Sequence, residues 1–97
     1  MPTLNSKQAR FLRSQGHGLE PVVMIGNKGL SETVMREIDI SLNAHELIKI
    51  KVQSDNRELR LNMLEEICEK LSAAVIQHIG KQLVVYRPAA KPKIILP

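Results

Sequence analysis

The hydrophobic residues switch back and forth between helical and strand spacing, and this constrains the fold more than any other feature of the chain. Leu4, Phe11 and Leu12 share one side of a helical wheel that Asn5 or Ser6 can cap and that Gly16-His17-Gly18 ends. Pro21-Val22-Val23-Met24-Ile25 is continuously apolar, which predicts a strand buried on both faces. Val34, Met35, Ile38 and Leu42 return to helical spacing behind a cap at Ser31, with Asn43-Ala44-His45 as the exit. Ile48, Ile50 and Val52 then alternate with Lys49 and Lys51, the pattern of a half-buried strand with a basic outer face. Met63, Leu64, Ile67 and Leu71 form a third helical stripe with Cys68 alongside. Asp55 and Glu58 make a capping-box-like pair at its start, and Glu58, Glu65, Glu66 and Glu69 line its far side. Ser72-Ala73-Ala74 suits either the end of that helix or the start of a strand. Two short strands follow, Val75 to Ile79 and Leu83 to Tyr86, joined by a tight turn at Gly80-Lys81.

The predicted order is therefore α-β-α-β-α-β-β. Helical crossovers place the first strands parallel, with right-handed connections, and the terminal hairpin adds an antiparallel pair. The expected fold class is α/β: a small mixed four-stranded sheet with three helices, in a single domain spanning residues 1–97. A chain of this length buries roughly 60–70% of its unfolded surface, enough for a core without metal or disulfide. From Arg87-Pro88 onward prolines and lysines predominate, and residues 89–97 are expected to be an ordered edge at best and a loosely held tail at worst.

At the first strand-to-helix junction stands Gly26-Asn27-Lys28-Gly29. A Gly-x-x-Gly loop there leaves backbone amides bare and lets a phosphate approach. Gly26 is expected to take backbone angles closed to other residues, and Gly29 to clear the ligand's path. The following helix would add free amides and the positive end of its dipole, and Lys28 a full charge. The bland reading is a turn with no ligand. A nucleotide-triphosphate P-loop is ruled out, because that motif needs four residues between its glycines and then Gly-Lys-Ser/Thr, whereas Leu30-Ser31 follows here.

Charge bears on the choice. The net charge is +4, but residues 1–30 carry Lys7, Arg10, Arg13 and Lys28 against Glu20 alone. Residues 81–97 carry Lys81, Arg87, Lys91 and Lys93 with no acid, while the middle of the chain is acidic. Basic ends around an acidic middle suit a polyanion on one side, or simply a soluble surface. Lys7, Arg10 and Arg13 fall on one side of the first helix, and with Lys49 and Lys51 they place basic groups near one anion loop. Phe11 and Tyr86 are the only aromatic residues. A row of base-stacking platforms is therefore excluded, and any nucleic-acid contact should be carried by phosphate and sugar.

Chemistry finds little support. His17, His45 and His78 are scattered, no metal-ligand spacing is visible, and Glu65 and Glu66 are adjacent and so do not face each other. Cys68 sits among core positions, and a single cysteine permits no internal disulfide and fits a reducing compartment. No catalytic residue, metal or cofactor is expected. No apolar run reaches the ~20 residues of a membrane span, and the N-terminus has no signal-peptide pattern. The expected setting is the cytoplasm, without membrane contact.

Three segments together resemble a known family: Pro21-Val22-Val23 leading into Gly26-Asn27-Lys28-Gly29-Leu30, then His45-Glu46-Leu47-Ile48-Lys49-Ile50-Lys51-Val52, and finally Ile79-Gly80-Lys81 with Val85-Tyr86-Arg87-Pro88. The chain is similar to the CRM domain (chloroplast RNA splicing and ribosome maturation), and especially to its stand-alone bacterial, YhbY-like form. The resemblance implies an RNA-binding domain with a fold similar to the C-terminal domain of translation initiation factor three. It also implies association with precursors of the large ribosomal subunit. The family's loop maps onto Gly26 to Gly29; Lys28 is assigned on physical grounds only. The reading that results is a ribosome assembly factor, monomeric when free. It would hold structured ribosomal RNA by its backbone with Gly26, Asn27, Lys28 and Gly29, supported by Lys7, Arg10, Arg13, Lys49 and Lys51. The alternatives are a module that docks a ribosomal protein through its acidic third helix or terminal hairpin, and, least favoured, a phosphate-handling enzyme.

Overall fold

A computed structural model describes residues 2–97. The elements are α1 (Ser6–His17), β1 (Pro21–Ile25), α2 (Glu32–His45), β2 (Leu47–Val52), α3 (Arg57–Leu71), β3 (Ala74–Ile79) and β4 (Gln82–Tyr86). The sheet order is β1-β2-β4-β3. β1 and β2 are parallel, while β4 runs antiparallel to both β2 and β3. The hairpin strand β4 thus inserts between β2 and β3, and the expected α/β class with a mixed sheet and three helices is what the chain forms.

Two apolar layers hold the sheet. On one face Ile38 and Leu42 of α2 and Met63, Leu64, Ile67 and Cys68 of α3 pack on Val23, Ile25, Ile48, Ile50, Val52, Leu83 and Val85. On the other, Leu12 of α1 packs on Leu47, Ala74, Ile76, Val84 and Tyr86, with Phe11, Leu19, Ile94 and Leu96 around it. The helical stripes read from sequence are therefore the core faces. Burial pushes the Cys68 thiol up to about 11, which keeps it protonated and inert.

Helix α1 is capped by Asn5, whose side chain accepts from the Gln8 amide at 2.8 Å while Gln8 Oε1 accepts from the Asn5 amide. The helix continues through Gly16 and does not stop there. An added Cβ on Gly16 would lie 3.1 Å from Val84 Cγ1, so this glycine lets α1 settle close to the sheet. Ser31 caps α2 as expected, accepting from the Val34 amide. The cap of α3 is Asn56, one residue later than expected, and it accepts from the Leu59 amide. Asp55 instead pairs with Lys81 across 2.7 Å at the β3–β4 turn.

Two expectations about the sheet are corrected. β1 is not buried on both faces: Val22 is 48% and Met24 51% exposed, because β1 is an edge strand and α1 does not cover that corner. The outer face of β2 is not open either. β2 lies between β1 and β4, α1 covers its second face, and Lys49 is only 8% exposed. Lys49 lies opposite Val84, the residue on which Gly16 packs. Its aliphatic stem is therefore buried under α1. Among the described residues no buried side-chain nitrogen lacks a partner, so the ammonium is carried out to the surface. Lys51, at the end of the strand, is exposed as expected.

The C-terminal segment is held firmly. Glu46 is 1% exposed, and its carboxylate accepts from the amides of Ala89 (2.8 Å), Lys93 (2.7 Å) and Ile94 (2.9 Å). Ile94 and Leu96 join the second core, and the Pro97 carbonyl accepts from the Gln8 side chain. Burial pushes the Glu46 carboxyl upward, but the three amide hydrogen bonds and the Lys93 charge outweigh it and hold it below its ordinary 4.5.

Candidate nucleic-acid interface

β1 delivers the chain to Gly26 at one end of the sheet. The Gly29 amide donates to the Gly26 carbonyl at 3.0 Å, closing a turn, and the Ser31 amide donates to the Gly29 carbonyl at 3.0 Å. Gly29 has φ +68°, a left-handed conformation that favours glycine. Gly26 does not lie in that region, and an added Cβ there would meet only Gln53 Oε1 at 3.5 Å. The left-handed backbone expected at Gly26 is thus required at Gly29 instead.

The amides of Asn27, Lys28 and Leu30 have no partner among the described residues, so the turn that carries Lys28 leaves three donors unpaired. The end of α2 contributes less than expected. Ser31 already takes the Val34 amide, and Glu32 places an acid in the first turn.

The loop also forms one wall of a cleft of ≈ 320 Å³. Gln53 and Ser54, which follow β2, form the opposite wall, and Leu59 and Met63 of α3 form the floor. The Gln53 amide donates to the Ile25 carbonyl at 2.9 Å, and its side chain donates to Met24 Sδ at 3.0 Å. The Ser54 carbonyl accepts from Nη1 of the buried Arg60 at 2.8 Å, and Arg60 Nε donates to His78 Nε2 at 3.1 Å. A larger cleft of ≈ 400 Å³ opens at the other end of β1, around Leu19, Val22, Leu47 and Ile94. It contains Glu20 and no lysine or arginine, so it does not suit an anion.

His78 must be neutral to accept from Arg60. Burial lowers its pKa below the ordinary 6.5, and the charges of Arg57 and Arg60 lower it further. A depressed histidine contributes stability that is complete above 6.5 and is lost as pH falls through the folded-state value. We expect the β2–α3 wall to loosen on that acid limb. Amide exchange at Ser54 and Asp55, followed with the His78 ring titration by NMR, should rise in step with protonation. Exchange that stays flat while His78 titrates would contradict this coupling.

The predicted site residues fall into two groups. Lys28 lines the cleft; Lys51 is at the same end of the sheet, but strand alternation with Ile50 and Val52 turns it to the α1 face. Lys7 and Arg10 are exposed and Arg13 half-buried on α1, which packs on the opposite face of the sheet. Lys49 is largely withdrawn into the second layer. Sequence reasoning missed Lys81, which the hairpin brings to the loop end of the sheet, where its carbonyl accepts from the Val52 amide. It also missed the Gln53-Ser54 wall and Arg60. The signal for Arg60 was a lone basic residue on a helix side otherwise set by Met63, Leu64 and Ile67. Among the described residues no group of three or more His, Cys, Asp or Glu side chains is placed to hold a metal ion.

A small α/β domain with a strand-to-helix glycine turn at the open end of its sheet is thus defined. The chain belongs to the CRS1/YhbY (CRM) domain family, whose model matches residues 4–87. A Haemophilus influenzae protein named RNA-binding protein is 47% identical over 97 residues, covering 100% of this chain and 98% of that protein. A Pseudomonas aeruginosa protein named as a probable RNA-binding protein is 39% identical over 89 residues, covering 92% and 86%. The solution structure of a hypothetical Staphylococcus aureus protein, described as a candidate RNA-binding protein, superposes with a TM-score of 0.84 at 34% identity, covering 98% of this chain and 100% of that one.

Proposed function

We propose that this chain is a cytoplasmic RNA-binding protein, monomeric when free, that assists assembly of the large ribosomal subunit by holding structured ribosomal RNA in precursor particles. The observation that carries the reading is the turn at residues 26–29, with three unpaired amides at and beside Lys28. Membership of the CRM family and the names of the relatives support RNA as the anion; the family resemblance supports the ribosomal setting. Lys51 and Lys81 extend the contact at the loop end. Lys7, Arg10 and Arg13 form a separate contact on α1, so a folded RNA would touch the protein at two places.

Phosphate binding releases counterions, and the salt dependence counts the contacts. Lys28→Ala should flatten the slope of log affinity against log salt by roughly 0.7–0.9, the value for one phosphate, and weaken binding similarly across RNA sequences. A ribosomal RNA fragment titrated from low to moderate salt measures this. An unchanged slope removes Lys28 from the contact.

A further inference from the structure

We propose that the cleft beside residues 26–29 receives one unpaired nucleotide, with its phosphate on the loop amides and Lys28 and its base laid over Leu59 and Met63. This rests on the reading that the loop contacts the RNA backbone, and it adds what part of the RNA is recognised.

A clamp for phosphate alone would need amides and cations. This cleft has an apolar floor as well. Leu59 lies in the first turn of α3, is 41% exposed, and turns its side chain into the cleft. Met63 lies behind it, its methyl 3.7 Å from where a Cβ on Gly29 would be. The floor and the anion-accepting amides therefore share one wall residue and lie within one nucleotide's reach. The volume of ≈ 320 Å³ is at the small end of the range for ligand pockets, roughly 300–1,000 Å³, and suits one flat heterocycle. Asn27 and Gln53 stand on the rim, and each offers an amide that can donate and accept on a base edge. Gln53 Nε2 is turned to Met24 Sδ, which leaves its Oε1 over Gly26 as an acceptor.

A base stacked within a duplex cannot reach such a floor. A bulged or looped-out base can, and apolar side chains can hold an extruded base as aromatic ones do. With no row of aromatics the chain cannot hold a run of bases, so the cleft takes one nucleotide and the rest of the RNA stays folded.

The test uses the whole protein and two fluorescent RNA duplexes, identical except for one bulged nucleotide, with affinity read by anisotropy. The wild type should bind the bulged RNA about tenfold tighter. Leu59→Ser should bring that ratio close to one, while Lys28→Ala should weaken both RNAs and keep the ratio. Because Leu59 is exposed, a melting curve should show Leu59→Ser folded; Leu59→Met, which keeps an apolar floor, should restore the ratio. Equal wild-type affinities, or a ratio that survives Leu59→Ser, would overturn the base-binding cleft and leave the backbone clamp standing. Failure to bind either RNA would overturn the underlying reading itself.

Discussion

Gly29→Asp will lower affinity for ribosomal RNA by on the order of 100-fold while the domain stays folded. Position 29 has φ +68°, and an L residue there costs roughly 1–2 kcal/mol, with Asp and Asn the best tolerated after glycine. The new Cβ would lie 3.7 Å from Met63 Cε, an ordinary contact. Stability therefore falls little. Binding falls far more, because the carboxylate stands where the phosphate is held. Each charge-assisted hydrogen bond lost is worth about 1.5–3 kcal/mol. Repulsion between two charges about 5 Å apart near a protein surface adds about 3 kcal/mol before screening by salt. Gly29→Asn supplies the control, with nearly the same shape and backbone cost but no charge. Affinities of the three proteins, measured beside their melting curves, separate the effects. If Gly29→Asp bound like Gly29→Asn, charge at the loop would not matter and the phosphate reading would fail.

Glu46→Ala will have the largest effect on stability. Its carboxylate accepts from three amides of the C-terminal segment, and its own backbone, at φ +66°, both ends α2 and turns the chain into β2. Such a backbone conformation costs of order 1–3 kcal/mol in a residue other than glycine and persists only where its surroundings insist on it. Removing the side chain leaves the strain and takes away the acceptors. Buried donors left unpaired cost about 1–3 kcal/mol each, reduced where the freed segment rehydrates, so a net loss of about 3 kcal/mol is expected. In a domain of this size that lowers Tm by roughly 10–20 °C. Trypsin should then cut after Lys93, which precedes Ile94, well before the body of the protein. The pH dependence has a definite sign. The folded-state pKa of Glu46 lies below 4.5, so its contribution is complete above that pH and is lost as pH falls through the folded value. The acid limb of the stability curve should therefore be shallower in Glu46→Ala. A variant with wild-type melting and an intact C-terminus would show that the latch contributes nothing.

The sequence revealed the elements because their periods differ, and it revealed both core stripes of α2 and α3 for the same reason. What it could not reveal depends on which strands become neighbours. A continuous apolar run such as 21–25 reads alike at the centre and the edge of a sheet, and only the insertion of β4 beside β2 leaves β1 outside. The alternation of Ile48, Ile50 and Val52 with lysines reads as one dry and one wet face. Here α1 closes over the second face and Lys49 adapts by extending its charge past the apolar layer.

The candidate site was legible in part for related reasons. Gly26-Asn27-Lys28-Gly29 is local, so its turn and its free amides could be anticipated. The cleft is not local. Its second wall, Gln53 and Ser54, comes from a different connection, and nothing local to Arg60, a lone base on an apolar helix side, says that it will reach the Ser54 carbonyl. Glu46 served only to mark a family motif. Its work, gathering three amides from more than forty residues away, could not be read from its neighbours in the chain.

RNA held by the backbone of residues 26–29 should disturb those amides first. A titration of the ¹⁵N-labelled protein with a ribosomal RNA hairpin, followed amide by amide, tests it most directly. The largest shifts should fall at Asn27, Lys28 and Leu30, with smaller ones along the exposed side of α1 and none at the amides that Glu46 holds. Shifts concentrated on the glutamate side of α3, with those three loop amides unmoved at saturation, would contradict it.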